Sequence, residues 1–244
     1  MSIGGFACAA REGGHGSHVG LRKAHRRISG LPACTGLAPM LELRNVACVR
    51  GGRQLFHKLN LSLNPGQLLR VTGVNGAGKT SLLRMLCGLQ SPAEGELLWQ
   101  GFRLDALREN FNCQLVYVGH AAALKDDLSA LENLLTAARL GGKVASEWAA
   151  RQALSSAGLA GKERAPARTL SQGQRRRVAL ARLELAETAA LWVLDEPFNA
   201  LDTAACDWLL GLIERHLARG GLVVLTSHQP VALADGLAQV VLAL

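Results

Sequence analysis

Residues Gly73, Val74, Asn75, Gly76, Ala77, Gly78, Lys79 and Thr80 fit the pattern G-x-x-x-x-G-K-[ST] and are followed by Ser81. Backbone N–H groups of such a loop cradle phosphates, the lysine reaches the outer ones, and the threonine hydroxyl suits Mg²⁺. Downstream, "LWVLDEP" (Leu191 to Pro197) ends an apolar run in two carboxylates. Successive strand side chains point to opposite sides, so the two acids take different tasks. Asp195 is expected to hold Mg²⁺, directly or through water, and Glu196 to polarise an attacking water as general base. Taken alone, the pair would also fit acids that cap the next turn; beside a phosphate loop the catalytic reading prevails. "NALD" (Asn199 to Asp202) follows, and "LTSHQ" places His228 after another apolar strand, where an imidazole can contact a terminal phosphate.

A second anion site is encoded in "LSQGQRRRVALARL", where Ser171, Gln172 and Gly173 open a helix. The first N–H groups of a helix lack partners and its dipole favours negative charge there. Arg175, Arg176 and Arg177 fan across roughly 200° of a helix and cannot all face one groove. A solvated face with intramolecular pairing is therefore expected for them rather than a nucleic-acid patch.

Positioning these groups requires alternating strands and helices. "LELRNVACVR" and "LNLSLN" read as strands joined across a "GGR" turn, "LLRVTG" as a buried strand entering the phosphate loop, and "KTSLLRMLCGL" as the helix leaving it. "GELLWQG", "CQLVYVG", "ALWVLDEP", "GLVVLTSH" and "AQVVLAL" are further strands, and a helix is expected near Thr203 to Arg219. Helical spacing recurs between about Asp126 and Thr169. Apolar strand runs alternating with helices imply a parallel sheet covered on both faces, with an inserted helical subdomain.

The bulk properties agree. The chain has 244 residues, 49% of them hydrophobic, enough for a sizeable core, and no apolar run of membrane-spanning length. A net charge of +8 suggests an anionic partner, although Arg11, Arg22, Lys23, Arg26 and Arg27 near the start supply much of it. Only 4% of residues are aromatic, against a single-strand nucleic-acid groove. The six cysteines show no metal or redox spacing, which points to a reducing, cytoplasmic compartment. Residues 1–40 lack an apolar signal core; they are expected to be a disordered extension or a start codon assigned too early, with Met40 preceding the first strand.

From about Leu41 to the C-terminus, these motifs together resemble the ATP-binding subunits of ABC transporters. The resemblance implies a P-loop NTPase α/β core of mostly parallel sheet flanked by helices. It also implies a small antiparallel β part, a helical signature subdomain at about residues 121–185, and ATP with Mg²⁺ as cofactors. It further implies a head-to-tail dimer in which Ser171, Gln172 and Gly173 close over the γ-phosphate held by the partner's loop. His120 stands where that family usually has a glutamine sensing Mg²⁺ and the attacking water, and Arg50 where an aromatic commonly stacks on adenine; a guanidinium can stack there instead.

Within the family, "GELLWQG", "GH" at Gly119 and His120, "LSALENL", "LSQGQRRRVALARL", "LWVLDEPFNALD" and "LTSHQ" are similar to the ATP-binding branch serving bacterial cytochrome c maturation. That branch implies a peripheral ATPase at the cytoplasmic face of the inner membrane. Its partners would be integral membrane subunits of a haem-handling complex, without nucleic acid, powering haem export or release of a haem-loaded chaperone. No CxxCH occurs, so no haem site is expected on this chain. An ABC ATPase energising another importer or exporter is the alternative, whereas a soluble repair or translation ATPase would need a long coiled-coil insertion or a second core. Ala121 and Ala122 depart from the branch's "QP", and Asn199 replaces its Thr or Ser, in regions that touch partners rather than chemistry.

Overall fold

A computed structural model describes residues 39–244 except Glu187. The expectation for residues 1–40 therefore lies, save for its last two positions, outside the described residues.

β1 (Leu41–Arg50) and β2 (Arg53–Leu63) form a hairpin around Gly51 and Gly52, both at positive φ, as a tight two-residue turn demands. β2 begins earlier than "LNLSLN" suggests, because hairpin pairing extends it back to Arg53. β3 (Gln67–Thr72) leads into the glycine loop and α1 (Lys79–Leu86) leaves it. β4 (Glu94–Trp99) and the two-residue β5 (Phe102–Arg103) complete an antiparallel sheet ordered β2-β1-β4-β5. A short α2 (Arg108–Asn112), too brief to show periodicity in the sequence, precedes β6 (Leu115–Val118).

α3 (Ala130–Leu140) starts at a capping box in which Ser129 and Glu132 satisfy each other's backbone N–H groups. α4 (Glu147–Ser156) is capped by Ser146, and α5 (Gln172–Leu180) by a second capping box, Ser171 with Gln174. A 3-10 helix (Ala181–Ala186) follows α5, and the remaining strands and α-helix are β7 (Leu191–Leu194), α6 (Thr203–Ala218), β8 (Leu222–Thr226) and β9 (Ala238–Ala243). Parallel pairing gives the order β6-β7-β8-β3-β9.

Alternation along the central strands divides the core. Leu191, Val193, Leu222 and Val224 join α1 and the antiparallel sheet in one apolar cluster. Their neighbours Trp192, Leu194, Val223 and Leu225 face the opposite way, onto Leu180 and α6. Both faces of the parallel sheet are thus covered, which explains why its strands read as continuous apolar runs. A separate cluster joins α3, α4 and Val178 of α5.

On the second face His216 stacks on Trp192, with ring centroids 3.9 Å apart, and occupies the space that a side chain on Gly221 would need. Burial pushes its pKa down to about 4, and its Nε2 has no hydrogen-bond partner.

The arginine triplet departs from expectation. Arg175 pairs with Asp126 at 2.7 Å, and Arg177 donates to the Ala157 and Gly158 carbonyls, so intramolecular pairing holds for both. Arg176 is not on a solvated face but 5% exposed. The helical period places it on the same stripe as buried Ala179, Leu180 and Leu183.

Candidate functional site

The carboxyl ends of β3, β6, β7 and β8 converge on a cleft of about 610 Å³, the usual location of ligands in open α/β sheets. Its lining brings together Arg50, Asn75, Gly76, Gly78, Lys79, Thr80, Ser81, His120, Asp195, Glu196 and His228. Residues far apart in sequence are assembled by strand order alone: β6 delivers His120, β7 both acids, β8 the histidine and β3 the loop.

The loop's geometry follows from its glycines. Gly78 sits at φ +108 as the N-cap of α1, and a Cβ there would lie 3.1 Å from the Phe56 ring. Gly73 stands at φ +143, where a Cβ would press on the Leu244 carbonyl. Val74 and Ala77 close the turn through Ala77 N–H to Val74 O at 3.2 Å, leaving Val74 exposed. Lys79 Nζ donates to the carbonyls of Gly73 at 2.8 Å and Val74 at 3.2 Å, which folds the cation over the loop.

Asp195 is held through its carboxylate and Glu196 through its backbone. Asp195 Oδ2 accepts from Thr80 Oγ1 at 3.1 Å, and Oδ1 accepts from Thr226 Oγ1 at 2.8 Å. The same Thr226 oxygen accepts the Glu196 N–H at 2.7 Å, so one buried hydroxyl orients both acids. Glu196 adopts φ +50, a left-handed conformation that is uncommon for a non-glycine residue. Its Oε1 lies 3.3 Å from His228 Nε2.

Arg176 supplies the restraint on the other side of Glu196. Nη2 donates to the Asp195 and Glu196 carbonyls at 2.8 and 3.0 Å, and Nε to the Pro197 carbonyl at 3.4 Å. Nη1 donates to the Gly119 and His120 carbonyls at 2.7 and 3.2 Å. Desolvation lowers the guanidinium pKa, opposed by the charges of Asp195 and Glu196. Sequence reasoning missed Thr226 and Arg176: the first was hidden in an apolar strand, the second inside a basic run.

Ser171, Gln172 and Gly173 do not line this cleft. They form the start of α5, where Ser171 Oγ accepts the Gln174 N–H at 3.2 Å and keeps its own proton free to donate. Gln172 borders a neighbouring hollow shared with His120, Arg175, Asn199 and Ala200. A Cβ on Gly173 would lie 2.6 Å from the Ala200 carbonyl, so the helix start is packed against the loop that follows the acids.

Residues 56–199 match the family model described as ABC transporter. The chain belongs to the ABC transporter family. Its ATP-binding relatives include the cytochrome c biogenesis ATP-binding export protein CcmA of Nitrosospira multiformis, 51% identical over 82% of this chain and 97% of that protein. The CcmA of Pseudomonas aeruginosa is 50% identical over 80% of this chain and 95% of the relative. Among solved structures, a putative ABC transporter ATP-binding protein from Pyrococcus furiosus superposes with a TM-score of 0.71 at 24% identity, covering 83% of this chain and 96% of that one, a likeness of fold. An ATP-binding cassette, MJ0796, solved as a dimer in a post-hydrolysis state with ADP and Pi, gives 0.68 at 26% identity, covering 78% and 88%. As an ABC ATPase, the chain binds and hydrolyses ATP, and the expected α/β core with its small antiparallel sheet is the architecture found. No helix among the described residues is long and apolar enough to cross a membrane.

Proposed function

We propose that this ABC ATPase energises a membrane complex of cytochrome c maturation, working peripherally at the cytoplasmic face of the inner membrane to power haem export or release of a haem-loaded chaperone. The observation that carries this reading is the likeness, at about half identity and nearly full relative length, to curated proteins named for cytochrome c biogenesis export. The integral membrane subunits are the expected partners.

In the proposed mechanism the loop from Gly73 to Ser81 cradles the phosphates and Lys79 engages the outer ones. Arg50, at the cleft's edge, stacks on the base. Thr80 and Asp195 place hard oxygen donors side by side, a set that fits Mg²⁺ and would hold it. Bound there, Mg²⁺ would neutralise charge on the terminal phosphates. Glu196 accepts a proton from the attacking water as its oxygen bonds to the γ-phosphorus and the bond to the β,γ-bridging oxygen breaks, leaving ADP and phosphate. His228 contacts the γ-phosphate and steadies Glu196, and His120 hydrogen-bonds the water from the end of β6.

Residues 121–185 are taken as the helical subdomain that carries the signature. Ser171, Gln172 and Gly173 lie outside their own cleft, which supports a head-to-tail dimer in which they close over the partner's ATP with a hydroxyl, N–H groups and a helix start.

Capture of Glu196→Gln from membranes with ATP bound, followed by mass spectrometry of its partners, tests the assignment. Haem-handling membrane proteins are expected; an unrelated permease would overturn the cargo while leaving the ATPase chemistry.

A further inference from the structure

Arg176 has five N–H donors, and all five are spent on backbone carbonyls: Gly119 and His120 at the end of β6, and Asp195, Glu196 and Pro197 at the end of β7. These are the two strand ends that carry His120 and Glu196 to the cleft. The guanidinium rides on α5, three residues after the Gly173 turn that packs on Ala200. Asp195 and Glu196 act on the buried charge only at longer range, so its directional bonds all go to main-chain geometry.

We propose that Arg176 is a positioning residue for hydrolysis, locking the signature helix, the His120 loop and the Glu196 backbone into one moving unit. Glu196 is the point of greatest leverage. Its left-handed backbone is held by Thr226 at its N–H and by Arg176 at its carbonyl. A shift of α5 when the signature engages a partner's nucleotide is then transmitted to this protomer's own acid. The proposal rests on the reading of Glu196 as general base.

Arg176→Lys keeps the charge but offers only three donors from one atom, which cannot serve both strand ends. In the full-length chain, fluorescent-nucleotide titration is expected to give an affinity within about twofold of wild type, with KM little changed and kcat at least about tenfold lower. Adding Arg176→Lys to Glu196→Gln should cause little further loss, because both act through one group. Wild-type hydrolysis by folded Arg176→Lys, or affinity and kcat falling in step, would overturn the positioning role. Rapid hydrolysis by Glu196→Gln alone would instead remove the base assignment and this proposal with it. Amide exchange of the wild-type chain needs no variant to fold: on addition of ATP, the amides of residues 119–121, 172–180 and 195–196 should gain protection in one kinetic phase, and separate phases would overturn the linkage.

Discussion

Glu196 Oε1 and His228 Nε2 face each other across 3.3 Å, although they arrive from different strands, β7 and β8. The acid is mostly shielded and its backbone is held at the N–H and the carbonyl, while the imidazole is 58% exposed and open to the cleft. That arrangement makes the acid the fixed member and the ring the adjustable one.

Replacing Glu196 by Gln preserves size and most contacts but removes the proposed proton acceptor. Hydrolysis should fall by about 100-fold or more while ATP binding is retained. Phosphate release and nucleotide titration on the same preparation check both halves.

Thr226 is fully buried and serves both acids. Thr226→Val leaves the Glu196 N–H and one Asp195 oxygen without this partner, at about 1–3 kcal/mol for each buried unsatisfied group. A lower melting temperature and a higher Mg²⁺ requirement for turnover are expected, with Thr226→Ser close to wild type in both.

Gly173→Ala puts a methyl carbon 2.6 Å from the Ala200 carbonyl. Relief requires α5 to move away from the loop after the acids, costing about 1–3 kcal/mol. Denaturant unfolding reads the cost, and steady-state hydrolysis should fall more than nucleotide affinity does.

Removal of the Arg50 side chain tests its stacking role. Arg50→Ala should weaken ATP binding by roughly three- to tenfold, the scale of a partly exposed cation–π contact, and Arg50→Tyr should restore it. Competition with GTP would reveal whether the contact reads the base or only its π-face.

His216 gives a pH signature independent of catalysis. Its folded pKa near 4 lies below the ordinary 6.5, so the unfolded chain binds the proton first as pH falls. Stability from this group is complete above about pH 6.5 and is lost progressively toward pH 4, by on the order of 3 kcal/mol. Urea midpoints at pH 7.5 and 4.5 should differ accordingly, and His216→Leu should flatten that component.

Motifs that depend on local spacing were readable from the sequence. The glycine loop needs consecutive residues, and the paired acids need only a strand end, so Lys79, Thr80, Asp195 and Glu196 could be named in advance. Thr226 could not, because nothing in "GLVVLTSH" marks which hydroxyl turns toward a neighbouring strand; the strand order does that. Arg176 was masked by its neighbours, although its register with Ala179, Leu180 and Leu183 was available as a signal. The early start of β2 came from pairing with β1, which outweighs the weak local preference of Arg53 to Lys58.

Lys79 is tied to the Gly73 and Val74 carbonyls by two of its three donors. A flexible four-carbon side chain would otherwise have to be immobilised by each ligand that arrives. Here the ordering entropy is spent once, during folding, so the phosphates proposed to bind would meet a charge already placed over the loop. Selectivity then falls to the ligand's own anionic density: nucleosides with short phosphate chains find the same cradle but little to hold the remaining donor.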